Sequence, residues 1–182
     1  MMRSMGVQHS LREIHEDSDT IIITCSHWSK AGLVRSGAVS DRVVVIPVGV
    51  DPSLYKPLPE TERTALRKHM GWEGKFVFLC IGSDFERKGV YPLLKAFASI
   101  CDRYPQAHVM LKGTEAICGS RESLEHALNQ VLTPSQAARV RDRISYTGDS
   151  LSLTQMVQLY QAADAYASPY IAEGFNIPVL EA

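Results

Sequence analysis

Two glutamates, Glu173 and Glu181, stand eight positions apart in the closing stretch AEGFNIPVLEA, residues 172–182. Gly174, Asn176 and Pro178 lie between them, all residues that favour turns and helix starts. An ionised carboxylate only accepts hydrogen bonds, and it takes paired hydroxyls well. Pro178 suits the first turn of a helix, which places Glu181 in that turn near the positive end of the helix dipole. Gly174 to Ile177 then form a loop with N–H groups aimed at a ligand, and Glu173 lies upstream across the same cavity. Taken singly, Glu181 fits dipole compensation and Glu173 a surface charge. Together on one loop they fit a hydroxyl-rich ligand.

Two further loops carry chemistry. In GSDFERKG, residues 82–89, Gly82 and Gly89 permit tight turns, while Arg87 and Lys88 set two cations at a helix N-terminus. That combination suits a diphosphate; an exposed basic turn paired to Asp84 and Glu86 is the equal alternative. The spacing matches neither G-x-G-x-x-G nor the P-loop pattern. TGDSLS, residues 147–152, is another strand-to-helix turn, whose backbone around Gly148 suits the edge of a nucleobase or a plain capped turn. Trp28, Trp72 and Phe76 read as packing residues. His27 fits a local hydrogen bond, and Ser26 and Ser168 lack the G-x-S-x-G setting of a nucleophile.

These loops need a scaffold that brings them together. DTIIITCS, residues 19–26, is a β-branched apolar run that predicts a strand buried on both faces, and DRVVVIP, residues 41–47, predicts a second. Ser29 is placed to cap the short helix KAGLVRSG between them, giving one parallel crossover. PVGVDPSLYKPLP, residues 47–59, holds four prolines and a glycine and reads as a linker. The helix ETERTALRKHMG follows.

Beyond it, buried strands at KFVFLCIG, AHVMLKG, RISYTG and ADAYASP alternate with helices at YPLLKAFASICDRY, RESLEHALNQVL, PSQAARVRDR and after Ser152, which has capping-box spacing to Gln155. Alternation of this kind predicts an α/β fold, a Rossmann-like doubly wound parallel sheet with ligands beyond the carboxyl ends of its strands. The right-handed crossover rule predicts strand order 3-2-1-4 from Lys75 onward, with the strand near Ala165 at an edge. Three segments result: 1–46, the linker 47–59, and 60–182.

Nineteen Lys and Arg balance 20 Asp and Glu, so the basic excess of a nucleic-acid binder is missing. Cys25, Cys80, Cys101 and Cys118 are scattered, without zinc spacing, and read as reduced thiols. The apolar core of a signal peptide and a run of about 18–20 apolar residues are both absent from the sequence, which points to a cytoplasmic protein without a transmembrane segment.

The stretches VIPVGVDPSLYKP, FVFLCIGSDFERKGVYPLLKAFA and ADAYASPYIAEGFNIPVLEA together resemble the retaining, nucleotide-sugar-dependent glycosyltransferases of family 4, two-domain GT-B proteins. The resemblance runs from about Asp19 to the end, and its strongest motif is the E-x7-E pattern of Glu173 and Glu181. It implies that 1–46 ends an N-terminal, acceptor-side domain and that 60–182 is an incomplete C-terminal, donor-binding domain, the chain being a piece of a longer enzyme and inactive in transfer by itself.

It implies catalytic roles for Glu173, facing the transferred sugar, and Lys88, contacting the diphosphate. Gly82, Arg87, Gly148 and the backbone of Gly174, Phe175 and Asn176 complete the donor site, with Glu181 on the ribose hydroxyls. The substrate would be a UDP- or GDP-linked sugar, without a separate cofactor and without a metal, since no D-x-D triplet is present. The acceptor would be a saccharide or lipid-linked hydroxyl. Two departures stand out: Ser83 replaces the family's usual Arg, with Arg87 the substitute cation, and Asn176 occupies a position that is often Gly. A non-catalytic nucleotide-binding module and a GT-B epimerase or phosphorylase remain alternative readings.

Overall fold

A computed structural model describes residues 10–82, 86–115 and 120–182. Ser83, Asp84 and Cys118, named above, lie outside the described residues. The chain divides into two compact units: one holds the described residues up to Gly49 together with Gly174–Ile177, the other Val50–Glu173 with Pro178–Ala182.

The first unit contains α1 (Leu11–Asp17), β1 (Ile22–Thr24), α2 (His27–Arg35), a 3-10 turn at Ser40–Arg42 and β2 (Val43–Val45). β1 and β2 pair in parallel, with Ile23 opposite Val44. Leu11, Ala38 and Val43 form its small core with Ile14, Ile22, Leu33 and Val34. Two expectations need correction. Neither strand is buried on both faces: Ile23 is 65% exposed and Val44 41%. The apolar runs are right for strands, but helices cover one face only. The cap of α2 is Ser26, whose Oγ accepts from Ser29 N at 3.1 Å; the helix starts one turn earlier than KAGLVRSG because a serine already stands at the strand's exit. Trp28 is 79% exposed, so it is no packing residue in this unit.

The second unit contains α3 (Glu60–His69), β3 (Phe76–Ile81), α4 (Val90–Ile100), β4 (Ala107–Lys112), α5 (Ser120–Val131), α6 (Pro134–Arg141), β5 (Ile144–Thr147), α7 (Leu153–Ala162) and β6 (Ala165–Tyr166), and α8 (Ile177–Glu181) ends in it. Its sheet is parallel throughout, ordered β5-β4-β3-β6. Counted within this unit, that is the expected 3-2-1-4, with β6 at an edge.

Side chains alternate across the pleat. Cys80, Val109 and Leu111 meet α4, α5 and α6 through Leu94, Phe97, Leu128 and Val140. Val77, Leu79 and Met110 face the other way, onto Trp72 and α7's Leu159 and Ala162. Both faces are therefore covered, which is why the strands read as unbroken apolar runs. Phe76 departs from this, being 40% exposed at the strand's start.

Capping fixes where the helices begin. Thr133 with Gln136 and Ser152 with Gln155 form capping boxes for α6 and α7. At the amino ends of the strands, Asp164 accepts from Arg63 (2.8 Å), Arg67 (2.9 Å) and Val77 N (2.7 Å). Burial alone would raise its pKa, but these donors hold it below the usual carboxylate value. Asp164 thereby ties α3 to the starts of β3 and β6. Among the described residues no helix is long and apolar enough to cross a membrane.

Candidate functional site

Strand order reverses at β3: β4 lies on one side of it and β6 on the other. In such sheets ligands bind at the carboxyl ends of the strands beside this reversal. Lys88 comes from the loop after β3 and Glu173 from the loop after β6, and they form an ion pair. Both side chains are largely withdrawn from solvent, at 15% and 22% exposure. Lys88 Nζ also lies 4.3 Å from the centre of the Tyr170 ring. Tyr170 is held in turn, donating to the Ile81 carbonyl and sitting 2.6 Å from Tyr166 Oη. The ammonium is thus presented by a carboxylate, a ring face and a packed stem.

Two glycines permit this approach. Gly89, at φ 66°, is the N-cap of α4, and a Cβ there would lie 1.9 Å from the Pro169 carbonyl oxygen. Gly82, at φ 152°, lies beneath the Lys88 stem, where a Cβ would fall 2.6 Å from Lys88 Cγ. Ile171 N donates to the Arg87 carbonyl at 3.0 Å and joins the two loops directly. The Arg87 side chain is exposed.

The neighbouring loops extend the same ladder. Gly82 N donates to Lys112 O and Gly113 N to Thr147 O, both at 2.8 Å, and buried Gly148 accepts from Glu115 N at 3.2 Å. Between the ends of β3, β4 and β5 lies a cleft of about 310 Å3, lined by Gly82, Lys112, Asp149, Leu151 and Met156 among others.

The other residues named from sequence are placed differently. Gly174, Phe175 and Asn176 belong to the first unit, where the Gly174 carbonyl lies 3.8 Å from Cys25 Sγ. Asn176 has φ 68°, the left-handed conformation. Glu181 is not in the first turn of its helix: α8 starts at Ile177, so the carboxylate falls on its last residue. Its partners are hydroxyls rather than the dipole. Tyr55 Oη donates to Oε1 at 3.0 Å and Tyr160 Oη to Oε2 at 2.5 Å. Burial first, and then Glu181 itself, pushes the Tyr55 phenol up to about 12 and Tyr160 upward too, so both keep their protons and donate. A cavity of about 250 Å3 adjoins this carboxylate, lined by Tyr55, Arg63, Tyr160 and Leu180.

Lys112, Asp149, Tyr55, Tyr160 and Tyr170 escaped the reading by sequence. Lys112 carried a signal, a charge closing an otherwise apolar strand; the tyrosines, scattered along helical and loop segments, carried none. Among the described residues, no three His, Cys, Asp or Glu side chains group to hold a metal ion.

A parallel, doubly wound sheet with a Lys–Glu ion pair at its switch point defines a Rossmann-like α/β domain. Residues 62–182 match the family model for glycosyl transferases group 1, and the chain belongs to that family. It is 26% identical over 178 residues to mannosylfructose-phosphate synthase of Agrobacterium fabrum, covering 97% of this chain and 38% of that protein. It is 24% identical over 172 residues to D-inositol 3-phosphate glycosyltransferase of Corynebacterium glutamicum, covering 94% and 40%.

Among solved structures, WaaG, a glycosyltransferase involved in lipopolysaccharide biosynthesis, superposes with a TM-score of 0.71 at 20% identity, covering 90% of this chain and 42% of WaaG. HepE of Anabaena, crystallised with UDP-glucose, gives 0.65 at 21%, covering 85% and 39%. The fold is the Rossmann-like one of GT-B glycosyltransferases. The chain spans well under half the length of these relatives.

Proposed function

We propose that this chain carries the donor-binding part of a retaining glycosyltransferase, which moves a sugar from a UDP- or GDP-linked donor to a saccharide or lipid-linked hydroxyl. One observation carries the reading: Lys88 and Glu173 meet at the switch point of a doubly wound sheet, from the two loops that follow β3 and β6. In the absence of ligand each neutralises the other. A donor diphosphate would draw the Lys88 ammonium to its own oxygens and release Glu173 to the hydroxyls of the sugar.

Transfer breaks the bond from the anomeric carbon to the diphosphate and forms one to the acceptor oxygen, whose proton passes to the departing diphosphate. Negative charge then develops on the leaving diphosphate. Lys88, Arg87 and the N-terminus of α4 would stabilise it from fixed positions, where such charges are most effective. Glu181, with Gly148, completes the second unit's share of the donor site in this reading, Glu181 taking the ribose diol beside the tyrosine hydroxyls it already accepts. The acceptor hydroxyl must also be held on the face from which the diphosphate departs, since retention keeps the new bond on that side, a positioning effect of about 7–11 kcal/mol in comparable reactions. Cys25, Cys80 and Cys101 are free thiols, which suits a cytoplasmic setting.

The test is calorimetric titration of the chain with UDP and GDP. Binding in the micromolar to millimolar range is expected, and Lys88→Ala should weaken it about tenfold, the loss of one charge-assisted contact. Absence of binding at millimolar nucleotide, or indifference to Lys88→Ala, overturns the donor-site reading.

A further inference from the structure

The cleft beside the Lys88–Glu173 pair contains a charge that packing alone does not call for. Lys112 is the last residue of β4 and shares a face with His108 and Met110 by the two-residue period of the strand. It is 7% exposed, bordered in the cleft by Ile81, Leu151 and Met156. Its ammonium donates to the Gly113 carbonyl, one bond for a group that carries three donors. An apolar residue would fill this place at less cost, because a buried ammonium with an incomplete shell loses hydration it does not recover. Burial accordingly lowers the pKa of Lys112, while the carboxylate of Asp149 across the cleft pulls it back up. Asp149 stands on the turn after β5 and accepts from Thr147 Oγ1 at 3.1 Å. The cleft therefore combines a recessed cation, a carboxylate at its rim and an apolar floor fit for a flat ring.

We propose that this cleft reads the donor's base and prefers guanine, Lys112 donating to the O6/N7 edge and Asp149 accepting from N1–H and N2–H2. The proposal rests on the donor-binding reading above and adds to it the class of base. Guanine presents adjacent acceptors and adjacent donors, matching an ammonium beside a carboxylate. Uracil offers one N–H between two carbonyls, so a carboxylate that accepts from it meets a repelling oxygen. Adenine turns its amino group toward the ammonium, placing donor against donor. Gly82 belongs both to this cleft and to the Lys88 seat, so a base in the cleft and a diphosphate at Lys88 lie on adjoining surfaces.

The experiment titrates the chain with GDP, UDP and ADP by calorimetry, with thermal melts alongside. GDP should bind about tenfold or more tightly than the other two, the discrimination of one good bidentate pair. Lys112→Met, similar in volume and uncharged, should erase that preference and leave UDP affinity nearly unchanged. Asp149→Asn, on an exposed turn, should reduce the preference without touching the fold, and so decides the matter even if Lys112→Met unfolds. UDP binding as tightly as GDP to the native chain overturns the proposal, as does an equal loss of all three nucleotides in Lys112→Met. The parent reading fails in another way, through no nucleotide binding at all or indifference to Lys88→Ala, and the base preference then falls with it.

Discussion

β1 and β3 both lie in apolar, strand-forming runs, IIT within DTIIITCS and FVFLCI within KFVFLCIG, yet they end in opposite circumstances. In the second unit Val77 and Leu79 are fully enclosed on one face of β3 and Cys80 is 2% exposed on the other. In the first unit Ile22 packs inward while Ile21 and Ile23 are more than 60% exposed. An apolar run specifies that a strand forms. How many layers cover it depends on elements elsewhere in the chain. The second unit supplies α4, α5 and α6 on one side and α3 and α7 on the other, while the first supplies helices to a single side.

The largest expected effect tests this difference directly. Leu79→Ala should cost about 2–5 kcal/mol of stability by urea melts, the range for emptying a closed core site. Ile23→Thr keeps β-branching on the bare face of β1 and should change stability by less than about 0.5 kcal/mol. Equal costs for the two would mean that the face of β1 is covered in solution, and the contrast between the units would disappear.

A smaller effect belongs to the covered sheet alone. His108 is 5% exposed, and its Nε2 lies 2.8 Å from Ser145 Oγ. Burial first, and then the charge of Lys75, lowers its pKa from 6.5 to about 4. The folded state therefore disfavours the proton that the unfolded chain binds below pH 6.5. Stability from this group is complete above pH 6.5 and is lost as the pH falls toward 4. His108→Gln retains a partner for Ser145 without titrating, so its melting temperature should fall less steeply than the native one across that window. Parallel slopes would assign the acid sensitivity to other groups.

The same contrast explains what was legible in advance. Strand order in the second unit followed from buried apolar runs and the handedness of crossovers, because parallel strands covered on both faces leave little choice. Ser152 announced α7 through local capping chemistry, whereas the capping box of Thr133 with Gln136 at α6 was not read in advance. Ser26 was missed as a cap because Ser29 offered the same chemistry three residues later. Glu181 falls outside the first turn because the helix that holds Pro178 in that turn already begins at Ile177, which makes Glu181 its fifth and last residue. Lys88 and Glu173 were each visible as charges in turn-prone loops. The Tyr170 ring beneath Lys88, the two tyrosines on Glu181 and the meeting of Lys112 and Asp149 in one cleft arise from residues far apart in sequence, which only the folded topology joins.

The smallest effect concerns Asn176, in the short segment Gly174–Ile177 that belongs to the first unit. Asn176 has φ 68°, in the left-handed region that glycine enters most readily. Glycine reaches the left-handed region without steric cost, and asparagine is among the side chains that tolerate it best, whereas alanine meets the Cβ–carbonyl clash at about 1–2 kcal/mol. Asn176→Gly and Asn176→Ala both remove the amide, so whatever that group contributes cancels between them. Their difference reports the backbone alone. Asn176→Ala should be less stable than Asn176→Gly by about 1 kcal/mol in urea melts. Equal stabilities would show that the loop relaxes out of the left-handed conformation in solution, leaving Gly174 to Asn176 without the fixed backbone that a donor-cradling role requires.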